Sequence, residues 1–118
     1  MSQILIDKIR KSRQRIVEIG ALKFTVRRPT DMEISDMQRS KVQQSEILRR
    51  YVVGWAGITE LDIIPGGTGV AVDFDTDLFM EWVADRPKLW APLTEAITSL
   101  YVEHAKLLED AEKKPESG

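Results

Sequence analysis

Between Arg15 and Val26 the chain reads RIVEIGALKFTV, with apolar and polar residues alternating at the period of two that marks a half-buried strand. Gly20-Ala21 fits a two-residue hairpin turn, with glycine where a positive φ is needed. That turn fixes the register: Ile19 faces Leu22, Glu18 faces Lys23, Val17 faces Phe24 and Ile16 faces Thr25. One face then carries Val17, Ile19, Leu22, Phe24 and Val26, and the other carries the opposite-charge pair Glu18 and Lys23. A two-stranded hairpin is marginal by itself in water, so its apolar face must cover helices or the hairpin must meet another strand.

Pro29 ends this hairpin, placed at 15–28, and the period then changes. Thr30-Asp31-Met32-Glu33 has the form of a capping box, and Ile34, Met37, Lys41, Gln44, Leu48, Tyr51 and Trp55 follow at steps of three and four, predicting a helix over about 31–55. The middle of that stripe is polar, so residues 33–44 read as exposed or covered by a partner, and Ile47 to Trp55 as buried. Gly54 and Gly57 supply the helix terminator. Ile58 to Phe74 is irregular around Pro65-Gly66-Gly67, with a short strand at Val70-Ala71-Val72. Asp75 or Thr76 caps a helix over 76–84 with Leu78, Phe79, Trp82 and Val83 inward. Pro92 lacks the N–H that a helix interior uses, so Pro87 to Ala91 reads as a tight turn and the last helix as 92–112, with Leu93, Ala96/Ile97, Leu100, His104 and Leu107/Leu108 on one stripe. Residues 1–14 read as a basic arm, 15–112 as one globular domain and 113–118 as a disordered polar tail. The fold class is mainly α with a small N-terminal β-hairpin, a compact α+β domain.

Composition narrows the chemistry. The chain has 118 residues, enough for one domain with its own core. It has no cysteine, which removes disulfides, thiolate metal sites and thiol nucleophiles. The N-terminal stretch MSQILIDKIRKSRQR has no signal-peptide apolar run, and no stretch reaches the length of a membrane span, so a cytoplasmic protein is expected. The net charge of −2 is unevenly spread: residues 1–60 hold 12 Lys/Arg and 7 Asp/Glu, a net +5, and residues 61–118 hold 5 and 12, a net −7. Two halves that fold onto each other would cancel these charges; complementary faces that join copies, or dock a charged partner, are the alternative.

Motifs that resemble catalytic or metal sites fail on spacing. Asp73-Phe74-Asp75-Thr76-Asp77 opens like a calcium loop, but Leu78 and Ala84 stand where that loop needs Gly and Glu. Pro65-Gly66-Gly67-Thr68-Gly69 lacks the Gly-Lys-Ser/Thr of a phosphate loop. His104, the single histidine, falls on the apolar stripe of the last helix, with neither a nucleophile nor an orienting group at recognisable spacing. No catalytic residue, cofactor or metal is therefore assigned. Lys8, Arg10, Lys11, Arg13 and Arg15 form a basic cluster, but it contains no aromatic residue and the sequence pI is near 5.5, which argues against nucleic acid. The tryptophans lie among Val, Leu and Ile and read as core anchors.

Two pieces together carry a family resemblance: the hairpin ending in Arg27-Arg28-Pro29-Thr30 before a capped helix, and Tyr51-Val52-Val53-Gly54-Trp55-Ala56-Gly57-Ile58-Thr59 followed by Phe74, Leu78, Phe79 and Asp85-Arg86-Pro87. Over about residues 15–108 the chain resembles the tail assembly chaperones of long-tailed bacteriophages. The resemblance implies an α-helical protein with a small hairpin, without enzymatic activity. It would bind the tape measure protein, keep its apolar helices in solution and help recruit tail tube subunits, acting in the host bacterial cytoplasm and absent from the mature virion. It further implies that a −1 frameshift, for which Glu112-Lys113-Lys114 is a candidate place, adds an extension that binds the tube protein. A structural phage protein, such as a head–tail connector or tail terminator, and a small DNA-binding regulator are the competing readings. The residues themselves point to a partner-binding surface on or near the first long helix, made of Met32, Met37, Val42 and Ile47 with the charged Arg39 and Lys41, and leave a homo-oligomer open.

Overall fold

A computed structural model describes residues 2–113 as six helices and a three-stranded antiparallel sheet of order β1-β2-β3. The hairpin is β1 (Gln14–Ile19) and β2 (Leu22–Arg27), in the register expected from the turn, with Ile19 opposite Leu22 and Val17 opposite Phe24. Gly20 has φ +60°, and among the described residues no non-glycine residue has a positive φ, so the turn has the II′ pattern that matches strand twist. On the outer face the Lys23 ammonium lies 3.8 Å from the Glu18 carboxylate. On the inner face Phe24 and Val26 are fully buried.

The single helix expected over 31–55 is instead three elements. α2 (Asp31–Gln38) begins at Thr30, whose hydroxyl accepts from the Glu33 N–H while the Glu33 carboxylate accepts from the Thr30 N–H. It stops at Arg39, and α3 (Gln44–Tyr51) restarts after a non-helical stretch over 40–43. The polar middle of the stripe has no apolar side chain to hold a continuous helix against the core, so nothing offsets the entropy of ordering it. From Val52 the chain turns into β3 (Val52–Ala56), antiparallel to β2, with Phe24 opposite Trp55, Thr25 opposite Gly54 and Val26 opposite Val52. Val53 is the extra residue of a bulge. β-Branched Val52 and Val53 favour a strand, and β2 would otherwise leave its backbone groups unpaired along one edge. Gly54 and Gly57 therefore lie in and after a strand and terminate no helix.

Beyond β3, Ile58 is buried and a short helix, α4 (Glu60–Ile63), opens on a second capping box between Thr59 and Asp62. The expected strand at 70–72 is reduced to an isolated bridge between Thr59 and Ala71, with Glu60 N–H donating to Val70 O and Val72 N–H to Ile58 O. Gly67 folds back so closely that a Cβ there would lie 2.8 Å from the Glu60 carbonyl, which is why the Pro-Gly-Gly turn needs glycine at that position. Asp75 caps α5 (Thr76–Val83) by accepting from the Leu78 N–H.

The last helix, α6 (Pro87–Lys113), starts five residues earlier than expected and takes Pro92 inside it. Pro87 occupies the first position, where a missing N–H costs nothing. Pro92 removes one bond in the second turn, a loss offset by burial of Leu89 and by the Trp90 indole, whose N–H donates to Val83 O at 2.7 Å. The expected basic arm at 1–14 is also a helix up to Ser12, α1 (Ser2–Ser12), with no buried residue. Of the tail expected at 113–118, Lys113 closes α6 and residues 114–118 lie outside the described residues.

Helices α3, α5 and α6 pack on the inner face of the sheet around Phe24, Val26, Leu48, Tyr51, Phe79, Trp82, Leu93 and Ile97. Phe24 meets Phe79 edge-on at 6.1 Å and Trp82 at 6.0 Å, while Trp55 meets Phe74 at 5.1 Å and Trp82 at 5.8 Å, both near-perpendicular. The Trp55 indole N–H donates to Val72 O at 2.7 Å. Replacing Phe24 by Ala should cost about 3–5 kcal/mol through lost burial and a cavity, Trp55→Ala less because Trp55 is only partly buried, and exposed Gln38→Ala less than about 0.5 kcal/mol. Equal midpoints for Phe24→Ala and Gln38→Ala in chemical denaturation would contradict this core.

Candidate partner-binding surface

Two polar clusters lie near the start of α2. In the first, the Arg27 guanidinium forms a two-pronged pair with Glu33, at 2.9 and 3.1 Å, and lies 4.6 Å from the centre of the Tyr51 ring. The Glu33 carboxyl is pushed down to about 2, mainly by the hydrogen bond from Arg27 and then by the Thr30 N–H, against the opposing effect of burial. Burial in turn raises the Tyr51 phenol. This cluster ties β2, the α2 cap and α3 together, so its charges serve the fold.

In the second cluster, Asp31 at the start of α2 accepts from the Tyr101 hydroxyl at 2.8 Å and lies 3.3 Å from His104 Nε2. The Tyr101 hydrogen bond first, and His104 second, hold the Asp31 carboxyl below its ordinary range. His104 thus has a carboxylate neighbour that its sequence spacing did not reveal, because Asp31 is 73 positions away. The arrangement pins the α2 N-terminus to α6. Among the described residues no group of three or more His, Cys, Asp or Glu could hold a metal ion.

The six sequence-predicted partner residues divide. Met32 is 77% exposed, Arg39 and Lys41 are exposed, and Val42 is half-buried in the non-helical stretch between α2 and α3. Met37 and Ile47 instead pack against the core, and Met37 Sδ lies 3.8 Å from the Tyr51 hydroxyl. Both turn inward because the break after α2 lets each short helix aim its apolar residues at the core separately. Just after Val42 lies a small notch of about 140 Å³, with Leu48, Met80, Val83 and Trp90 as its apolar wall and Gln44 and Ser45 at its mouth. A larger depression of about 440 Å³ lies on the other side of the α5–α6 turn, between Leu22, Trp82 and Leu89, rimmed by Asp62, Asp85, Arg86 and Lys88.

Sequence reading missed two exposed apolar helix surfaces. Ile4, Leu5 and Ile9 on α1 and Val102, Leu107 and Leu108 on α6 are all open. The signal was present in the Ile/Leu spacing of residues 4–9, but the neighbouring basic cluster dominated the reading. Among the described residues no helix is long and apolar enough to cross a membrane. No family model matches the chain, and neither a curated protein nor a solved structure matches it.

The depressed Glu33 carboxyl makes a pH prediction. A carboxyl whose pKa falls from the ordinary 4.5 to about 2 on folding adds stability that is complete above about pH 4.5 and is lost as the pH falls through about 2. Allowing for solvent screening of this part-exposed pair, the contribution is about 1–2 kcal/mol at neutral pH. Glu33→Gln should therefore lower the denaturation midpoint at pH 7, with the gap to the parent protein closing toward pH 2. A gap that stays constant over that range would refute the assignment.

Proposed function

We propose that this chain is a phage or prophage tail assembly chaperone. In this reading it acts without catalysis, covers apolar helical segments of a tape measure protein and helps bring tail tube subunits to it. The observation that carries the reading is how the residues of the resemblance are used. Arg27, Tyr51, Val52, Trp55, Ile58, Phe74 and Phe79 meet in one structural unit joining the hairpin, β3 and α5, while apolar residues outside it remain open. A scaffold of that kind is suited to holding surface, not a reacting group, in place. Helix-in-groove recognition needs an apolar notch with adaptable walls, and Met80 in the notch lined by Gln44 and Leu48, with Met32 on α2, supplies flexible thioether side chains. Arg39 and Lys41 flank the same stretch and suit acidic residues of a bound helix. Such a protein works in the host cytoplasm and leaves before the virion is complete.

Recruitment of the tube protein through a frameshifted extension belongs to the same proposal. A fused extension would place a second binding module at high effective concentration beside the first.

Co-expression of the chain with an amphipathic fragment of a tape measure protein should keep that fragment in solution. Met32→Asp and Val42→Asp should weaken this effect with little change in the chaperone's own denaturation midpoint. Met37→Asp should lower the midpoint itself, by about 1–3 kcal/mol, because Met37 packs on the core. A fragment that stays soluble alone, or precipitates equally with the chain present, would end this reading. Presence of the chain in purified particles would favour a connector or tail terminator.

A further inference from the structure

The apolar stripe of α6 does not end where the body ends. Leu93, Ile97 and Leu100 are buried, and the same helical spacing continues through His104, Leu107, Leu108 and Ala111, where Leu107 is 70% and Leu108 47% exposed. Beyond Glu103 and His104, which are tied to Arg15 and Asp31, the overhang over 105–113 is nine residues, close to the 11 of α1, or about 14 Å. α1 presents its own stripe of Leu5, Ile6 and Ile9 at steps of three and four, with Leu5 60% exposed.

Their charges are complementary. α1 carries Lys8, Arg10 and Lys11 against Asp7, a net +2; on the overhang Glu109 and Lys113 cancel in the count, and Asp110 and Glu112 against Lys106 leave a net −1. Both surfaces lie at one end of the molecule: Arg15, just after α1, pairs with Glu103, and a cavity of about 430 Å³ lies between Ser12, Gln14, Leu100, His104 and Leu107. The sheet's attachment to α6 thus leaves two open apolar stripes of opposite charge whose near ends meet at one end of the molecule.

We propose that a second copy of this chain covers them, as a two-fold dimer in which each α1 lies along the partner's α6 overhang. Because both stripes are at the same end, one two-fold axis satisfies all of them, and the assembly closes at two copies without leading to a fibre. This inference does not depend on the proposed function, and its test uses the chain alone.

Mass measurement by sedimentation or light scattering should give twice the chain mass. Lys8→Glu with Arg10→Glu reverses one stripe's flanking charge, and Asp110→Lys with Glu112→Lys reverses the other's; all four residues are exposed. Each double variant should self-associate at least about tenfold more weakly, since like charges then face each other at both contacts. Mixing the two should restore a dimer, because both contacts again pair opposite charges. Leu5→Ser should weaken the dimer without reversing any charge. A wild-type chain that is monomeric at all concentrations, a dimer insensitive to these changes, or a mixture that stays monomeric would each overturn the proposal. So would protection of α1 from hydrogen exchange in a monomer, which would mean that α1 folds back on its own α6.

Discussion

Phe24 is the residue on which the arrangement depends. It is completely buried, pairs across the sheet with Val17 on one side and Trp55 on the other, and meets Phe79 and Trp82 of α5. A hairpin of two six-residue strands cannot bury such a side chain by itself. Its presence requires a third strand beside β2 and helices over the inner face. β3 meets the first requirement, and α3, α5 and α6 meet the second. The Arg27–Glu33 pair under Tyr51 then fixes the angle at which the chain leaves β2 for α2, so the position of every surface residue on α2 follows from how β2 is covered.

The hairpin was legible to the level of register because a glycine-containing two-residue turn and strict alternation leave one pairing that buries the apolar set. Both the Thr30 box and the Asp75 cap were legible because capping chemistry is local. β3 was not, and the reason is specific: Leu48, Tyr51 and Trp55 fall at helical spacing although Trp55 belongs to a strand, and only the unpaired edge of β2, a long-range demand, decides the matter. The start of α6 was hidden by Pro92, a local penalty that burial of Leu89 and the Trp90 hydrogen bond offset. At the surface, periodicity marked Met37 and Ile47 as apolar residues needing cover but could not distinguish cover by the protein's own core from cover by another chain.

The opposite charges of the two halves of the sequence are used in two ways. Part of the charge is paired within the molecule, through Arg15 with Glu103 and Arg49 with Asp77. These contacts are largely exposed, so each contributes little to stability, and their effect is on orientation: they align the sheet with α6 and α3 with α5. Lys8, Arg10 and Lys11 on α1 and Asp110 and Glu112 on α6 flank apolar residues that the core does not cover.

That distribution separates two kinds of surface which a chaperone would need. Around Met32, Val42 and the notch beneath α3 the apolar groups are isolated and interrupted by polar residues, the pattern of a surface that remains soluble while open and engages varied sequences weakly. The stripes of α1 and α6 are continuous and of opposite charge, the pattern of a surface with one specific occupant. If copies of the chain join through the second kind, the first kind is presented more than once in a single assembly. A long, repetitive helical client could then be held at several points, each contact weak and the sum strong, because every site after the first binds at the effective concentration set by the assembly. Under the proposed function, weak individual contacts would also let a client leave one site at a time, which a single tight site would oppose.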